Sequence, residues 1–445
     1  ACLVGSEMCI RDRADIRAFH AMRYTKSAGE AKELTCPPYD IISEAERAAF
    51  LERNPHNVIR LELPRGEEPY KTAGKTLHTW FSDGTLRCDK DAGLYIYEEE
   101  FKTDVDHGEV RSLKGIVCLV RVEDFSAGVV LPHEETLSKA KKDRFELMKA
   151  TNCNFSSIYS LYQDEKGETQ KRIDRLSAGT PYCEFSDGLV THRLWIVNDK
   201  QALEAFRADF APRKLYIADG HHRYETAIHY RDYCRENAVW ASGSEFVMMT
   251  LVDMAHPGLV VFPTHRLVRG IEGFSAEKVL ESCGEYFQIE TLADKSEIAP
   301  RMKNAYDAGQ KAFVFVYENG DRMNYVLLIL KDAAVMEEFM PEKSEASRGL
   351  DVSVLHTLIL ERALGIDREN MASQKNLTYT RDLNEALSTV ESDEMQCAFI
   401  LNPTRVEEIG AVAAAGEKMP QKSTYFYPKL ITGLVMNNLE TPVED

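Results

Sequence analysis

The chain has 445 residues, of which 44% are hydrophobic and 28% charged, values typical of a protein that buries a large core. At about 150 residues per domain, this length predicts two to three domains. The formal net charge of −18 argues against a protein that grips nucleic acid or an anionic membrane over a wide surface. No apolar run approaches the roughly 18 residues of a membrane span, and we expect a cytoplasmic protein with no membrane partner.

The first residues differ in character from the rest. Residues 1–13 (ACLVGSEMCIRDR) resemble a translated sequencing-adapter remnant, and we expect an artefactual leader that takes no part in the fold. The nearest two of the eight cysteines beyond it are 30 residues apart, so no CxxC pair exists. This spacing disfavours a zinc ribbon and predicts reduced thiols.

The first half of the chain predicts a mixture of helices and strands. Ser43 and Glu46 have the spacing of a capping box, which predicts a helix over 44–53. The alternating stretch 57–63 predicts a strand. The further predicted helices are 70–81, the strongly charged 134–151, 199–210 and 224–236. The further predicted strands are 94–101 and 109–122 (paired through a turn at 106–108), 155–162, 192–197, 215–218, 245–254 and 258–263.

From residue 275 the pattern becomes helix, strand, helix, strand. Helices are predicted at 276–283, 297–308, 352–364 and 406–415, and strands at 287–292, 312–317, 325–330 and 398–401. We therefore expect an α+β fold with a main domain over 14–270, a small α/β block over 271–340, and a C-terminal α/β block over 341–445 that packs on the main domain.

The strongest motif is DGHHRYETA at residues 219–227, where a strand end runs through a tight turn into a helix. The free N–H groups and the dipole of a helix start favour a phosphate oxygen. The glycine lets the backbone come close, the arginine offers a planar fork, the histidines can donate protons, and the aspartate can hold Mg²⁺ or act as a base. The candidates are Asp219, Gly220, His221, His222, Arg223 and Thr226. The alternative is a helix capped by Asp219 with two surface histidines.

A second candidate lies at 131–159, where His133 and Glu134 begin a helix rich in bases and are candidate catalytic residues. Glu134 or Glu135 can serve as a general base toward a hydroxyl. Four bases fall within six residues and can hold an anion near His133 and Glu134: Lys139, Lys141, Lys142 and Arg144. The alternative is a solvated helix with i,i+4 charge pairs. A transition metal held by His222, Glu225 and His229 is disfavoured, because histidines on a helix face are more often solvated.

Weaker candidates for substrate binding lie in three other places. Residues 416–423 (GEKMPQKS) come within one residue of a P-loop, but Gln421 replaces the second glycine and Pro420 has no N–H, so a Walker A site is rejected. Lys422 and Ser423 of this segment remain candidates for lining a cleft. The others are Tyr39 and Asp40 in the rigid PPYD loop, and Asn154 and Ser156 after the basic helix.

These segments together resemble an uncharacterised bacterial and archaeal family, domain of unknown function 1015. The matching stretches follow in the expected order from residue 14 onward: PPYDIIS, NPHNVIRLELP, LPHEETLSKAKKDRFELMKATNCNFSSIY, LYIADGHHRYETA, PTHRLV, LDVSVLH and GEKMPQKSTYFYPKLITGLV. The DGHHR turn is also similar to the phosphate-binding box of the ParB/sulfiredoxin fold, in which a strand, G-x-x-R and a helix with a small residue map to Gly220, Arg223 and Ala227.

The resemblance implies a ParB/sulfiredoxin-like nucleotide-binding core, since partition proteins of that fold bind CTP, sulfiredoxin uses ATP and free-serine kinases phosphorylate serine. Family members often have genes beside those of serine biosynthesis, which favours a small-molecule role. We therefore expect a phosphotransferase that uses Mg²⁺ and a nucleotide (ATP, ADP or CTP) on a small hydroxyl metabolite such as serine or phosphoserine. Two alternatives stay open: a ParB-like nucleotide-binding regulatory or DNA-partition protein, and a metal-assisted phosphatase or nuclease.

Overall fold

A computed structural model describes residues 14–103, 108–134, 136, 138–239, 241–320, 322–420 and 422–443. The expected leader at 1–13 lies outside the described residues, as does most of the predicted turn at 106–108. The described residues divide into two compact units. The first unit holds the residues up to Pro132, Thr136–Leu259 and those from Pro428 on, and the second holds His133, Glu134 and Val260–Tyr427.

The first unit is built on a nine-stranded sheet. Eight of its nine strands follow one another in the spatial order Val130–Leu131, Leu215–Asp219, Ile158–Tyr162, Phe246–Asp253, Val110–Arg121, Leu94–Lys102, Val190–Val197 and Cys183–Ser186. The ninth strand, Ile16–Arg17, pairs with Val110–Arg121. Every residue of Phe246–Asp253 is buried. Six of its eight residues are apolar, a composition typical of a strand that is covered on both faces. Two short pairs, Met22–Tyr24 with Leu86–Cys88 and Cys153–Asn154 with Asn437–Asn438, complete the strands.

The helices of the first unit include the one that the capping box predicts. Ser43 Oγ accepts from the Glu46 N–H at 3.2 Å and Glu46 Oε2 accepts from the Ser43 N–H at 2.8 Å, so the prediction of helix Glu44–Arg53 is confirmed. The α-helices are Ala31–Leu34, Glu44–Arg53, Ile59–Glu62, Pro69–Ser82, Ser138–Thr151, Glu168–Leu176, Lys200–Phe210 and His221–Asn237, with 3₁₀ turns at Lys26–Ala28, Tyr39–Ile41, Phe125–Ala127 and Ser242–Glu245.

One predicted element of this part of the chain is wrong, and another begins later than predicted. The stretch 57–63 forms a short helix, Ile59–Glu62, and not a strand. The Asn57 amide decides this, because its Oδ1 accepts from the Ile59 N–H at 3.0 Å while its Nδ2 donates to the Glu33 carbonyl at 2.7 Å. The basic helix begins at Ser138 and not at Glu134, because Glu134 forms a β-bridge with Met419.

The second unit has a six-stranded sheet whose strands come from both of the predicted C-terminal blocks and, for His265–Val268, from the end of the predicted main domain. In spatial order they are Phe287–Thr291, Arg322–Leu330, Ala312–Asn319, Cys397–Leu401, His265–Val268 and Leu377–Thr380. Because Ala312–Asn319 pairs directly with Cys397–Leu401, strands of the segments 271–340 and 341–445 share one sheet. The division into domains stays a prediction. A further pair joins Val260–Phe262 to Tyr425–Tyr427.

The helices of the second unit depart from prediction at one point. Residues 352–364 were expected to form a single α-helix, but Asp351–Val354 is α-helical and Leu355–Glu361 is a π-helix. The other helices are Ala276–Tyr286, the 3₁₀ turn Lys295–Glu297, Ile298–Asp307, Val335–Phe339, Glu345–Arg348, Arg368–Ser373, Leu383–Glu391 and Val406–Ala414. Across the described ranges, no helix has both the length and the apolar character needed to cross a bilayer. The α+β class is thus confirmed, while the ParB/sulfiredoxin-like description of the core stays a prediction.

Candidate functional site

The DGHHR turn starts at an irregular strand end. Leu215–Asp219 pairs antiparallel with Ile158–Tyr162, and the register shifts between Ile217 and Asp219. Such a bulge re-aims the side chains that follow it and is common beside functional sites. The strand end therefore presents Asp219 at the point where the chain leaves the sheet.

Gly220 joins this strand to the 17-residue helix His221–Asn237. Its φ of +91° lies in the left-handed region, and a Cβ at this position would stand 2.8 Å from Arg223 Nε. Two features therefore favour glycine here, the left-handed backbone conformation and the Arg223 guanidinium that lies against the position. Gly220 offers no capping side chain, and the first N–H groups of the helix form the positive end of the helix dipole.

Asp219 is held between two cations. Lys429 Nζ lies 3.0 Å from Asp219 Oδ1, and Arg223 Nη2 lies 2.9 Å from Oδ2. Burial by itself would raise the pKa of Asp219, but the positive charges of Lys429, Arg223 and His221 outweigh it and hold the pKa well below its usual range. The carboxylate is therefore ionised at every physiological pH, and the two cations together leave an excess of positive charge around it.

Arg223 is partly used by the protein itself. Besides Asp219, its Nη1 donates to the Ser157 carbonyl at 2.6 Å, and its side chain is 11% exposed. Its Nε and the hydroxyl of Thr226 are buried and have no hydrogen-bond partner among the described residues. Buried polar groups without partners are rare, because each costs about 1–3 kcal/mol. These two groups therefore point to a water or ligand oxygen at this place.

Arg223 and Thr226 line a cavity of about 40 Å³, which we call the Glu62 cavity. The polar residues around it are Glu62, Arg144, Asn154, Ser156, Arg223 and Thr226. Five of these six were candidates from the sequence, in two separate motifs. A cavity of this size matches one small group or one or two waters, since a water occupies about 30 Å³ in the liquid.

Glu62 is the residue that sequence reasoning missed. Its side chain is 4% exposed, lies 3.4 Å from Arg144 Nη1, and accepts a hydrogen bond from Ser156 Oγ at 3.1 Å. Burial raises its pKa above the ordinary value, although Arg144 and Arg223 oppose the shift. Because 57–63 was interpreted as a strand, the sequence offered no reason to direct this carboxylate toward the DGHHR turn.

Arg144 is fixed by contacts on several sides. It is 6% exposed, donates to the Glu62 carbonyl at 2.8 Å, and pairs with Asp143 at 2.6 Å. Its guanidinium lies 4.1 Å from the centre of the Tyr39 ring. Tyr39 thus contacts the cavity residue Arg144. The exposed Asp40 beside Tyr39 adds negative charge that raises the pKa of Glu62.

Other predicted residues of the first unit occupy different surroundings. Lys142 is exposed and does not line the cavity, while its neighbour Lys141 pairs with Glu225 at 2.6 Å. His221 is buried and His222 is half-buried. Asn154 also has a structural task, since its Oδ1 accepts from the Met248 N–H at 3.2 Å.

Four further predicted residues meet within the second unit. Glu134 Oε1 accepts from the Lys422 N–H at 2.6 Å, and His133 Nε2 lies 3.0 Å from Thr424 Oγ1. Ser423 is buried, and its hydroxyl donates to the Pro420 carbonyl at 2.5 Å. The two motifs that the sequence analysis treated separately, at 133–134 and 422–423, therefore form one local network.

The geometry offers little to a metal ion. Within the described part of the chain, no cluster of three His, Cys, Asp or Glu side chains has the arrangement of a metal site. Both oxygens of Asp219 face cations, a setting that disfavours a divalent cation at this carboxylate. A role for Asp219 with Mg²⁺ stays a prediction.

Comparison with solved structures gives distant likenesses. A free serine kinase mutant in complex with AMP is 12% identical with a TM-score of 0.37, over 72% of this chain and 91% of that one. A conserved hypothetical protein from Pyrococcus furiosus is 14% identical with a TM-score of 0.35, over 73% of this chain and 96% of that one. C-terminally truncated SbnI from Staphylococcus aureus is 11% identical with a TM-score of 0.35, over 72% of this chain and 87% of that one. Values this low assign no role to any residue.

No curated protein matches the chain. One family model does, and it covers residues 16–353, well over half of the sequence and including the whole DGHHR turn and Glu62. The chain belongs to the family described as Protein of unknown function (DUF1015).

Proposed function

We propose that the protein is a nucleotide-dependent phosphotransferase that acts on a small hydroxyl metabolite, with serine or phosphoserine as the first substrates to test. The observation that supports it best is the Glu62 cavity, where a buried carboxylate of raised pKa faces two guanidinium groups, those of Arg144 and Arg223. Anionic phosphoryl groups need cations, and a hydroxyl acceptor needs a base; the cavity combines both.

In this proposal, the cationic end of the site holds the phosphoryl group that is transferred. Arg223, Lys429 and the start of helix His221–Asn237 surround Asp219, and the unpartnered Arg223 Nε and Thr226 hydroxyl supply two donors for ligand oxygens. The cavity accommodates one small group only, so the base and ribose of a nucleotide would lie outside it.

Glu62 is the proposed general base. It accepts the proton of the substrate hydroxyl while that oxygen forms its bond to phosphorus and the bond from phosphorus to the leaving oxygen of the nucleotide breaks. The raised pKa of Glu62 makes it a stronger base than an exposed carboxylate, which suits proton transfer near neutral pH. Arg144 and Arg223 stabilise negative charge that spreads over the transferred group.

The test begins with binding. Isothermal titration calorimetry with ATP, ADP, AMP and CTP, each with and without Mg²⁺, is expected to give a heat of binding for at least one nucleotide. Arg223→Gln and Lys429→Gln are expected to weaken that binding at least tenfold. Arg235→Gln is the matched control, because Arg235 is an exposed arginine of the same helix, paired with Glu245. Equal affinity in Arg223→Gln and Arg235→Gln would refute the site.

Turnover is tested next, by phosphorus NMR with serine or phosphoserine and the nucleotide that binds. Glu62→Gln keeps the size of the side chain and removes the base, so we expect nucleotide binding to survive while the rate falls at least a hundredfold. Nucleotide binding without transfer to either substrate in the unmodified protein would favour the regulatory alternative, and phosphate release without any nucleotide would favour a phosphatase.

A further inference from the structure

The second unit contains a cavity of about 140 Å³ that none of the predicted sites explains. We call it the His356 cavity. It lies between the π-helix Leu355–Glu361, the helix Arg368–Ser373 and the strand Leu377–Thr380, and all of its lining residues belong to the second unit. Its volume is close to the roughly 150 Å³ of a protein cavity that accepts benzene, so it has room for a molecule of one ring.

The wall of this cavity is cationic although the chain as a whole is acidic. Three lining side chains carry positive charge, namely Lys343, Arg368 and Lys418, against one carboxylate, Glu361. Lys343 and Arg368 form no salt bridge with a described residue, and Glu417 and Glu361, respectively, attract them only from beyond that distance. The lining also includes an apolar part, made by Met340, Leu350, Met371 and the ring of Tyr379.

A buried arginine lies directly behind this wall. Arg266 is fully buried and forms no salt bridge with a described carboxylate, although the charge of Glu134 acts on it from beyond salt-bridge distance. Its Nη2 donates to His356 Nε2 at 3.3 Å, and its guanidinium lies 5.1 Å from the centre of the Tyr379 ring, so it contacts two residues of the cavity wall. Its Nε is buried without a partner among the described residues. A buried charge without a counter-ion is costly, because the surroundings cannot solvate it.

His356 lies between Arg266 and the cavity, since it contacts the guanidinium and also lines the cavity wall. A guanidinium can only donate, so the His356 Nε2 must accept and the ring proton must sit on Nδ1. Burial, together with Arg266 and Arg368, lowers the pKa of His356 well below its ordinary value, which keeps the ring neutral. The π-helix places His356, Thr357 and Glu361 in the same wall, and π-turns occur frequently at functional sites.

We propose that the second unit binds a small organic anion in the His356 cavity, with a carboxylate or phosphate group at the lining cations and an apolar or aromatic body against Tyr379. The anion compensates the charge of Lys343, Arg368 and the buried Arg266. This site is separate from the Glu62 cavity and does not depend on the phosphotransferase proposal.

The experiment uses the full chain and four probes in calorimetric titrations: phenyl phosphate, benzoate, phenol and inorganic phosphate. We expect one or both aromatic anions to bind, and phenol and inorganic phosphate to bind at least tenfold more weakly, because each lacks one half of the recognised chemistry. The tighter of phenyl phosphate and benzoate identifies the anionic group. Failure of both to bind with a Kd below roughly 10 mM, or equal binding of phenol, would overturn the proposal.

Two variants locate the binding. Arg368→Gln is expected to weaken the better probe about tenfold, since a charge-assisted hydrogen bond contributes about 1.5–3 kcal/mol. Arg368 is exposed at the rim, so the variant is expected to fold as the unmodified chain does. Arg322→Gln is the matched control, an exposed arginine of the same unit that does not line the cavity. Equal affinity in the two variants would show that the probe binds elsewhere and would overturn the proposal.

Discussion

The two units hold buried arginines in opposite electrostatic settings. In the first unit, Arg144 has Asp143 at 2.6 Å and Glu62 at 3.4 Å. In the second, Arg266 has a carbonyl, a neutral imidazole and an aromatic ring around it, and Glu134 acts on it only from beyond salt-bridge distance. A paired charge is compensated by the protein, whereas an unpaired one is compensated only when something else brings the counter-charge. The Glu62 cavity is therefore a polar site whose buried charges the protein itself pairs, whereas an anionic ligand would stabilise the His356 cavity by balancing its positive charge.

The largest expected effect comes from breaking the paired case. Arg144→Met leaves the buried Glu62 without its salt-bridge partner and with only the weaker attraction of Arg223. We expect a loss of about 3–5 kcal/mol in the free energy of unfolding, measured by urea denaturation. Arg235→Met is the control, because its pair with Glu245 is largely exposed, with 55% and 32% of the two side chains accessible. Similar losses in both variants would contradict the difference drawn between buried and exposed pairs.

Glu99 sharpens the comparison, because it is a buried carboxylate with no lysine or arginine partner among the described residues. It is 1% exposed, accepts from Tyr97 Oη at 2.9 Å, and burial raises its pKa to about 8. A carboxylate can take up a proton at neutral pH, whereas Arg266 keeps its charge even with its pKa lowered to about 10 by burial.

The raised pKa of Glu99 makes stability depend on pH. Above pH 4.5 the unfolded state releases the Glu99 proton, whereas the folded state keeps it until the pH nears 8. The contribution of Glu99 to stability is therefore complete below pH 4.5 and is lost as the pH rises toward 8. We expect the free energy of unfolding to fall by up to about 1.4 kcal/mol per pH unit in this window. Glu99→Gln is expected to flatten the dependence of the free energy of unfolding on pH. The measurement is denaturant titration of both proteins at pH 5.5, 6.5 and 7.5, and the same pH dependence in the variant and the unmodified chain would contradict the raised pKa of Glu99.

Gly220 tests whether the guanidinium of Arg223 must lie where it does. Gly220→Ala puts a Cβ into a left-handed backbone position and within 2.8 Å of Arg223 Nε, so we expect a loss of about 1–3 kcal/mol together with weaker nucleotide binding. Gly188→Ala has a similar φ of +102° and nothing within 4 Å, and it reports the backbone effect alone. An equal loss in thermal denaturation of the two variants would show that the contact with Arg223 does not matter.

The smallest expected effect comes from the unpaired arginine. Arg266→Met removes a buried charge that no carboxylate meets at salt-bridge distance, so we expect the free energy of unfolding to change by less than about 1 kcal/mol or to rise. The same variant is expected to weaken the binding of aromatic anions in the second unit. A loss as large as that of Arg144→Met would show that the contacts with Thr264 and His356 compensate Arg266 fully.

Much of the site was predictable where the signal is local. The strand, glycine turn and helix of DGHHR follow from residues that are adjacent in sequence, and the capping box of Ser43 and Glu46 follows from a spacing of three. Arg144, Asn154, Ser156, Arg223 and Thr226 were candidates, and the structure brings all five to one cavity. Their roles in binding stay predictions.

The rest could not be read from local patterns. Lys429 reaches Asp219 across 210 positions of sequence, and Glu62 reaches Arg144 across 82, distances at which no spacing rule applies. The alternation at 57–63 favours a strand equally well until Asn57 is seen to bond to the carbonyl of Glu33. Likewise, nothing in 352–364 distinguishes an α-helix from the π-helix that carries His356.

The amino-acid sequence by itself therefore determined the class of the fold, most of its elements and the position of the DGHHR turn, because these depend on hydrophobic periodicity and on contacts within a few residues. Only the tertiary structure decided which charges are paired and which are not. Pairing depends on chain segments that meet after folding, and it is the balance of buried charge that distinguishes the Glu62 cavity from the His356 cavity.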